Sequence, residues 1–269
     1  MREKFTKKGY LLINDFLNVS DKKIISNIFF DTLEKYNNKK YKVRDFNDSK
    51  LHSDLFEFRS TNPKQFGNFF DELPLNANLR SVIHAKKFLN LSSEILGVSK
   101  NSIFINGYKI RLDGPLDKRN NLDWHQDSPY FLQTYPNFNS FVCWIPLTDN
   151  SVENGTLQFI PESHSNYIET KLTRKNKLSS LQAQINVSQN DSIKNFNAKS
   201  GDVGIFHMNL KHKSGTNNSK KFRITLAFRC HELSQGFHLG KELYHYNDVQ
   251  FFKEKGIESE QAPWPGEIK

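Results

Sequence analysis

The stretch FRITLAFRC, Phe222 to Cys230, alternates without a break. Phe222, Ile224, Leu226, Phe228 and Cys230 fall on one side, and Arg223, Thr225, Ala227 and Arg229 on the other. Side chains of a β-strand point alternately to opposite faces, so the pattern specifies a strand. Its apolar row packs on a core or on helices. Its other row, with the arginines, turns either into a polar cavity or into solvent.

The texture from about Ile103 onward supports a β-rich half. IFINGYKIRL, DWHQDS, SFVCWIPL, TLQFIP and DVGIFH read as further short strands, separated by turn-rich stretches such as LDGPLDKRNN and TDNSVENG. The first third reads differently. YLLI from Tyr10 is a short strand, but Ile24, Ile25, Ile28, Phe29 and Leu33 recur at helical spacing behind a cap at Ser20. NPKQFGNFFDEL and NANLRSVIHAKKFLNLSSEILG add two or three helical pieces, with Gly97 as a stop. No repeat, low-complexity tract or linker divides the chain. The expected architecture is mainly β with flanking helices: one domain over residues 1–269, with helical support over about 1–100 and a core of two sheets or a barrel over about 101–232. A C-terminal segment, 233–269, would close over a site or make dimer contacts.

Composition narrows the function. The net charge is +9, but the basic residues are scattered as DKK, NNKKYK, HAKK, LTRKNK and NSKK rather than striped. A nucleic-acid footprint would cluster, so the expected partner is a small-molecule substrate, with an anionic group on it as one option. A monomer or a homodimer is expected. Cys143 and Cys230 both lie in apolar stretches and read as small buried hydrophobes in a reducing, cytoplasmic setting. The N-terminal residues show no secretory pattern, and no apolar run reaches the length of a membrane span.

Chemistry concentrates around DWHQDSPY, from Asp123. On a strand, His125 and Asp127 would aim an imidazole and a carboxylate the same way, either as a metal-binding pair or as a surface patch. A second pair of the same spacing, His52 and Asp54 in LHSD, has nothing else at ligand spacing beside it and reads as a surface turn. A third ligand for the first pair can come from His207 or His212. Two histidines and one carboxylate leave three positions open on a metal, the arrangement of non-haem Fe(II) oxygenases. A cosubstrate carboxylate then calls for a cation, and a guanidinium grips one with two parallel hydrogen bonds. Arg223 serves that end if its face of the strand lines a cavity. Lys109 and Arg111 share one face of YKIRL, and either meet an anionic group or stand in solvent. Tyr130 and Phe131 either wall a pocket or pack.

Three motifs in order resemble the phytanoyl-CoA dioxygenase family of Fe(II)/2-oxoglutarate-dependent oxygenases. FTKKGYLLINDFL is similar to the family's opening strand and turn, and is followed by WHQD. CWIPLTDNSVENGTLQFIPESH resembles its strand, Asn-Gly turn and closing Ser-His. GDVGIFHMNLKHKSGTNNSKKFR resembles its glycine-aspartate turn, distal histidine and arginine. The resemblance implies a double-stranded β-helix, a jelly-roll or cupin-like barrel. It implies Fe(II) held by His125, Asp127 and His212, with His207 outside the set. It also implies 2-oxoglutarate bound at its far carboxylate by Arg223 with help from Ser214, and Trp144 beside it. One departure is Glu162, where the family has glycine; it concerns a turn.

The implied reaction consumes O₂ and 2-oxoglutarate, releases succinate and CO₂, and hydroxylates a small molecule. Asp127 favours hydroxylation, because related halogenases have a small residue there. Competing readings are a β-barrel that binds metal or ligand without turnover, a zinc hydrolase on the same triad, and an oxygenase acting on nucleic acid or protein. His164, His231, His238 and His245 are assigned no role.

Overall fold

The computed structural model describes residues 1–117, 121–131, 138–170, 173 and 182–233. The C-terminal segment beyond 233, with His238 and His245, lies outside the described residues.

Among the described residues, eight strands form two antiparallel sheets. They are β1 (Tyr10–Ile13), β2 (Ile103–Asp113), β3 (Ser140–Pro146), β4 (Leu157–Phe159), β5 (Lys194–Asn195), β6 (Val203–His207), β7 (His212–Ser214) and β8 (Arg223–Glu232). The five-stranded sheet runs β1-β6-β3-β8-β2, and the three-stranded sheet β5-β4-β7. In the larger sheet β8 is flanked by β3 and β2, and the register sets Trp144 and Lys109 opposite Ala227.

Six helices precede most of the strands: α1 (Arg2–Lys8), α2 (Val19–Asn37), α3 (Ser49–Thr61), α4 (Pro63–Glu72), α5 (Ala77–Ile83) and α6 (Lys86–Leu96). The helical expectations hold, with two differences of detail. The cap of α2 is Asn18, not Ser20. Asn18 accepts from the Asp21 N–H at 2.8 Å while Asp21 accepts from the Asn18 N–H at 3.1 Å, and this reciprocal box satisfies two amide donors where Ser20 would satisfy one. Ile24 lies partly exposed, while Ile25, Ile28, Phe29 and Leu33 are buried. Gly97 ends α6 in the left-handed conformation, φ 70°.

The helices cover one face of the larger sheet. Ile224, Leu226, Phe228 and Cys230 of β8 join one apolar cluster with Phe29, Leu55, Phe69 and Phe88 from the helices. Phe228 meets Phe88 edge-on at 5.3 Å, and each side chain so buried contributes roughly 1.5–3 kcal/mol. A smaller cluster fills the space between the sheets, where Trp144, Phe206 and Ala227 meet Leu157 and Phe159. The other positions on that inner face of β8 are polar. Glu162 takes φ 63° and donates its N–H to the Lys8 carbonyl at 2.9 Å. The turn thus asks for the left-handed backbone that glycine adopts most easily, and glutamate bears it.

The pair His52/Asp54 is not a surface turn. Both residues are buried on α3. Asp54 accepts from Lys39 and Lys50, each at 2.8 Å. His52 accepts the Phe222 N–H on Nδ1 at 3.1 Å, tying α3 to the start of β8. Burial, helped by the Lys221 charge, pulls the His52 pKa down to about 4. The unfolded chain then binds the extra proton first, so stability is full above the ordinary value near 6.5 and is lost as pH falls toward 4. Denaturant titrations at several pH values should show this loss, with a His52 share on the order of 3 kcal/mol. His52→Asn, which keeps an acceptor but cannot titrate, should flatten that share of the slope.

Candidate active site

DWHQDS does not form a strand. His125 makes bridges to Gln184 and His212, and the backbone turns at Asp127 (φ −78°, ψ −21°) into a single 3₁₀ turn over Ser128–Tyr130. The convergence of the side chains therefore has another source than strand alternation. His125 and His212 exchange both backbone hydrogen bonds, N–H to carbonyl at 2.9 and 3.0 Å, which sets the two residues directly opposite each other. Asp127 donates its N–H to the Met208 carbonyl at 2.9 Å, in the loop between β6 and β7. Gln126, between the two ligand candidates, is fully buried. Its Nε2 donates to the Asn166 and Asn209 carbonyls at 2.7 and 2.6 Å, and its Oε1 accepts from the Ile168 N–H at 2.8 Å. With its amide satisfied, the segment cannot rotate without losing buried hydrogen bonds. This residue was missed from sequence, since a lone glutamine carries no signal there.

The imidazoles are oriented by their far nitrogens. His125 Nδ1 donates to the Asp123 carbonyl at 2.7 Å, and His212 Nδ1 to the Leu210 carbonyl at 2.8 Å. A carbonyl only accepts, so each Nδ1 carries the proton and each Nε2 presents a lone pair. Those nitrogens lie 3.5 and 3.7 Å from Asp127 Oδ1. The three ligating atoms lie within 4.8 Å of one another, close enough for one divalent ion to touch all three. Burial, with the neighbouring His125, pulls the His212 pKa down to about 4, so it is a neutral donor at physiological pH. Burial works against the charge of Asp127, but the Arg229 guanidinium beside it outweighs that and holds the carboxyl well below the usual range. A pair of neutral imidazoles and one carboxylate is a donor set that binds iron. His207 stands apart: its Nδ1 accepts from the Asn209 N–H at 3.0 Å, and its ring packs by Phe5 and His164.

Arg223 is turned inward and is 2% exposed. Its Nη2 donates to Asp113 Oδ2 at 2.6 Å, and its guanidinium lies 5.8 Å from the Trp144 ring. Its Nε and Nη1 are buried and have no partner among the described residues. Asp113 also accepts from Arg111 Nε and Nη2, at 3.2 and 3.0 Å. Two guanidinium ions thus share one buried carboxylate, and Arg223 keeps two donor nitrogens without a partner among the described residues. Burial penalises the Asp113 charge, yet the two arginines pull its pKa below the usual value. Thr225 Oγ1, two positions along the same face, is also buried with no partner among the described residues. Ser214 is buried two residues beyond His212 on β7, and so shares that face of the strand. Lys109 is exposed, and Arg111 donates to Asp113. Tyr130 accepts the Ala183 N–H at 2.6 Å, and Phe131 lies under the Arg229 guanidinium at 4.6 Å.

The buried triad, with the antiparallel sheets and flanking helices around it, is a candidate metal centre of the two-histidine, one-carboxylate type. Comparison with known proteins narrows this: the family model for phytanoyl-CoA dioxygenase (PhyH) matches residues 5–225, and the chain belongs to that family. Several solved structures share the fold. The non-heme monooxygenase ThoJ in its apo form is 15% identical with TM-score 0.58, covering 86% of this chain and 76% of its own. EctD from S. alaskensis, solved with 2-oxoglutarate and 5-hydroxyectoine, is 15% identical with TM-score 0.57, covering 87% of this chain and 76% of its own. EvdO2 from Micromonospora carbonacea var. aurantiaca, complexed with 2-oxoglutarate, is 15% identical with TM-score 0.58, covering 86% and 89%. A search of curated protein sequences gave no match. Among the described residues, no helix is long and apolar enough to cross a membrane.

Asp113→Asn removes the charge that separates Arg111 from Arg223. Breaking a buried ion pair leaves an uncompensated charge, so chemical denaturation should show a loss of about 3–5 kcal/mol.

Proposed function

We propose that the protein is an Fe(II)- and 2-oxoglutarate-dependent dioxygenase that hydroxylates a small molecule. The observation that carries this reading is the pairing of a buried three-ligand site with a buried guanidinium whose Nε and Nη1 lack partners among the described residues. A metal site paired with an anion site fits a cosubstrate that chelates at one end and carries a carboxylate at the other, and a passive binder gains nothing from an unpaired guanidinium at the cost of desolvation. Membership in the PhyH family supports the same assignment.

In this reading His125, Asp127 and His212 would hold the iron through Nε2, Oδ1 and Nε2. When bound, the iron would supply oxidative chemistry in which O₂ and 2-oxoglutarate give succinate, CO₂ and a hydroxyl on the substrate. The chain's own residues do the positioning. Arg223 would take the 5-carboxylate with its unpartnered N–H groups, and Trp144 packs beside that guanidinium. Ser214, on the face that carries His212, would donate to the same carboxylate. The carbonyls of Asp123 and Leu210 hold the imidazole tautomers, and the apolar cluster between the sheets excludes water. The sheets are read as a double-stranded β-helix, and the chain as one domain with helices braced on its core. The small molecules named with the related structures support a small-molecule substrate. Two free, buried cysteines support a cytoplasmic setting.

The test is succinate release from labelled 2-oxoglutarate with Fe(II) and ascorbate, first uncoupled and then with candidate small molecules. His125→Ala, Asp127→Ala and His212→Ala should each abolish it. Arg223→Lys should raise the KM for 2-oxoglutarate by roughly 10–100-fold, the equivalent of losing one charge-assisted hydrogen bond. An unchanged KM in that variant, or no succinate from the wild-type protein with any substrate mixture, would sink the reading.

A further inference from the structure

The alternation that turns Arg223 inward turns Arg229 inward too, and this second arginine has a partner in the triad. Arg229 Nη2 donates to Asp127 Oδ2 at 2.9 Å, while Oδ1 is the oxygen that faces both imidazoles. Arg229 Nη1 donates to the Gly107 carbonyl at 3.0 Å, and the guanidinium lies 4.6 Å over the Phe131 ring. The carbonyl is presented by an irregularity in the sheet. The register of β2 against β8 shifts between Asn106 and Lys109, and Gly107 takes φ 62° there. A Cβ at Gly107 would come within 2.9 Å of both Arg229 Cδ and Phe131 Cε1. The bulge, the ring and the guanidinium therefore fit as one part, and its free end grips a single carboxylate oxygen.

We propose that Arg229 is a positioning residue that limits Asp127 to one coordinating oxygen, Oδ1. The inference rests on the reading that the triad holds a divalent ion. Carboxylates bind cations through one oxygen or through two. A second oxygen from Asp127 would fill one of the three positions that the triad leaves open. A cosubstrate chelating through its carboxylate and keto oxygens needs two of those, and O₂ needs the third. By holding Oδ2, Arg229 keeps the count at three. Lysine cannot do this fully, because one ammonium cannot match a fork that reaches both Asp127 and the Gly107 carbonyl.

The full-length, metal-free protein is titrated with Mn(II), read by the electron paramagnetic resonance of free Mn(II). The Mn(II)-loaded protein is then titrated with 2-oxoglutarate by calorimetry. In Arg229→Met, 2-oxoglutarate affinity should fall by roughly 10–100-fold, the range for losing a partner of a ligand, and by more than Mn(II) affinity does. Arg229→Lys should fall in between. Gly107→Ala, which crowds the guanidinium, should move in the same direction as Arg229→Met. If Arg229→Met does not fold, as thermal melting would show, Arg229→Lys decides: it must weaken 2-oxoglutarate more than Mn(II). Equal loss of both affinities, or loss of neither, overturns the proposal. A wild-type protein that takes up no Mn(II) overturns the metal-centre reading itself, which is a distinguishable result.

Discussion

Ile224, Leu226, Phe228 and Cys230 press against the helices, while Arg223, Thr225 and Arg229, one position out of phase, stand in the space between the sheets. The two rows cannot be separated. A shift of β8 by one residue would drive both guanidinium groups into the apolar layer and expose the aliphatic row to the site. The hydrophobic effect, acting on the row that does no chemistry, thus places the row that does. It also fixes the partners of that row, because the register with β2 sets Asp113 opposite Arg223 and Asn106 opposite Arg229.

Charge balance between the sheets follows from this placement. Asp127 is buried, and its ionised form survives because the Arg229 guanidinium sits at its Oδ2. Asp113 is buried, and its ionised form survives between Arg111 and Arg223. The two clusters differ in what they leave over. Around Asp127 one cation meets one anion, and what remains is a set of lone pairs suited to a cation. Around Asp113 two cations meet one anion, and what remains is a pair of N–H donors suited to an anion. One inner face therefore presents opposite demands at its two ends. A ligand that is anionic at one end and chelates a metal at the other satisfies both at once, and a dicarboxylate with a keto group beside one carboxylate has that form.

Much of this was legible in the sequence, and the reasons differ by element. The β8 alternation and the helical spacing of α2 are local patterns that burial enforces, so they read directly. The choice of His212 over His207 was not legible from spacing. It came from resemblance, and the physical difference appears only in three dimensions, where His212 faces His125 across a backbone pair while His207 faces α1. The expected strand at DWHQDS failed because its polar and aromatic residues satisfy the period of two without forming a ladder. Single bridges and the Gln126 amide hold it instead. LHSD was misread for a related reason: its burial depends on contacts with Lys39, Lys50 and Phe222, which no local window contains. Two signals were present and not used. Asn18 and Asp21 have the spacing of a capping box. Gly107, in the middle of a strand pattern, marks a bulge or a close approach, and here it marks both.

The helices do more than cover a sheet. His52 on α3 accepts the Phe222 N–H, one residue before Arg223. Arg59, also on α3, binds Asp117 at 3.0 Å, in the stretch that follows Asp113. Asn217, ahead of β8, donates to the Asp113 carbonyl at 3.0 Å. The two strand ends that carry the Arg223–Asp113 pair are thus pinned from outside the sheet by three separate polar contacts, at the place where the proposed ligand would bring a negative charge into a buried space. Rigid placement matters most there, since a guanidinium free to swing would relax onto Asp113 or reach solvent and lose its unpaired donors. The ordering of this end by the helical layer gives the first third of the chain a share in the chemistry, although none of its side chains belongs to the triad.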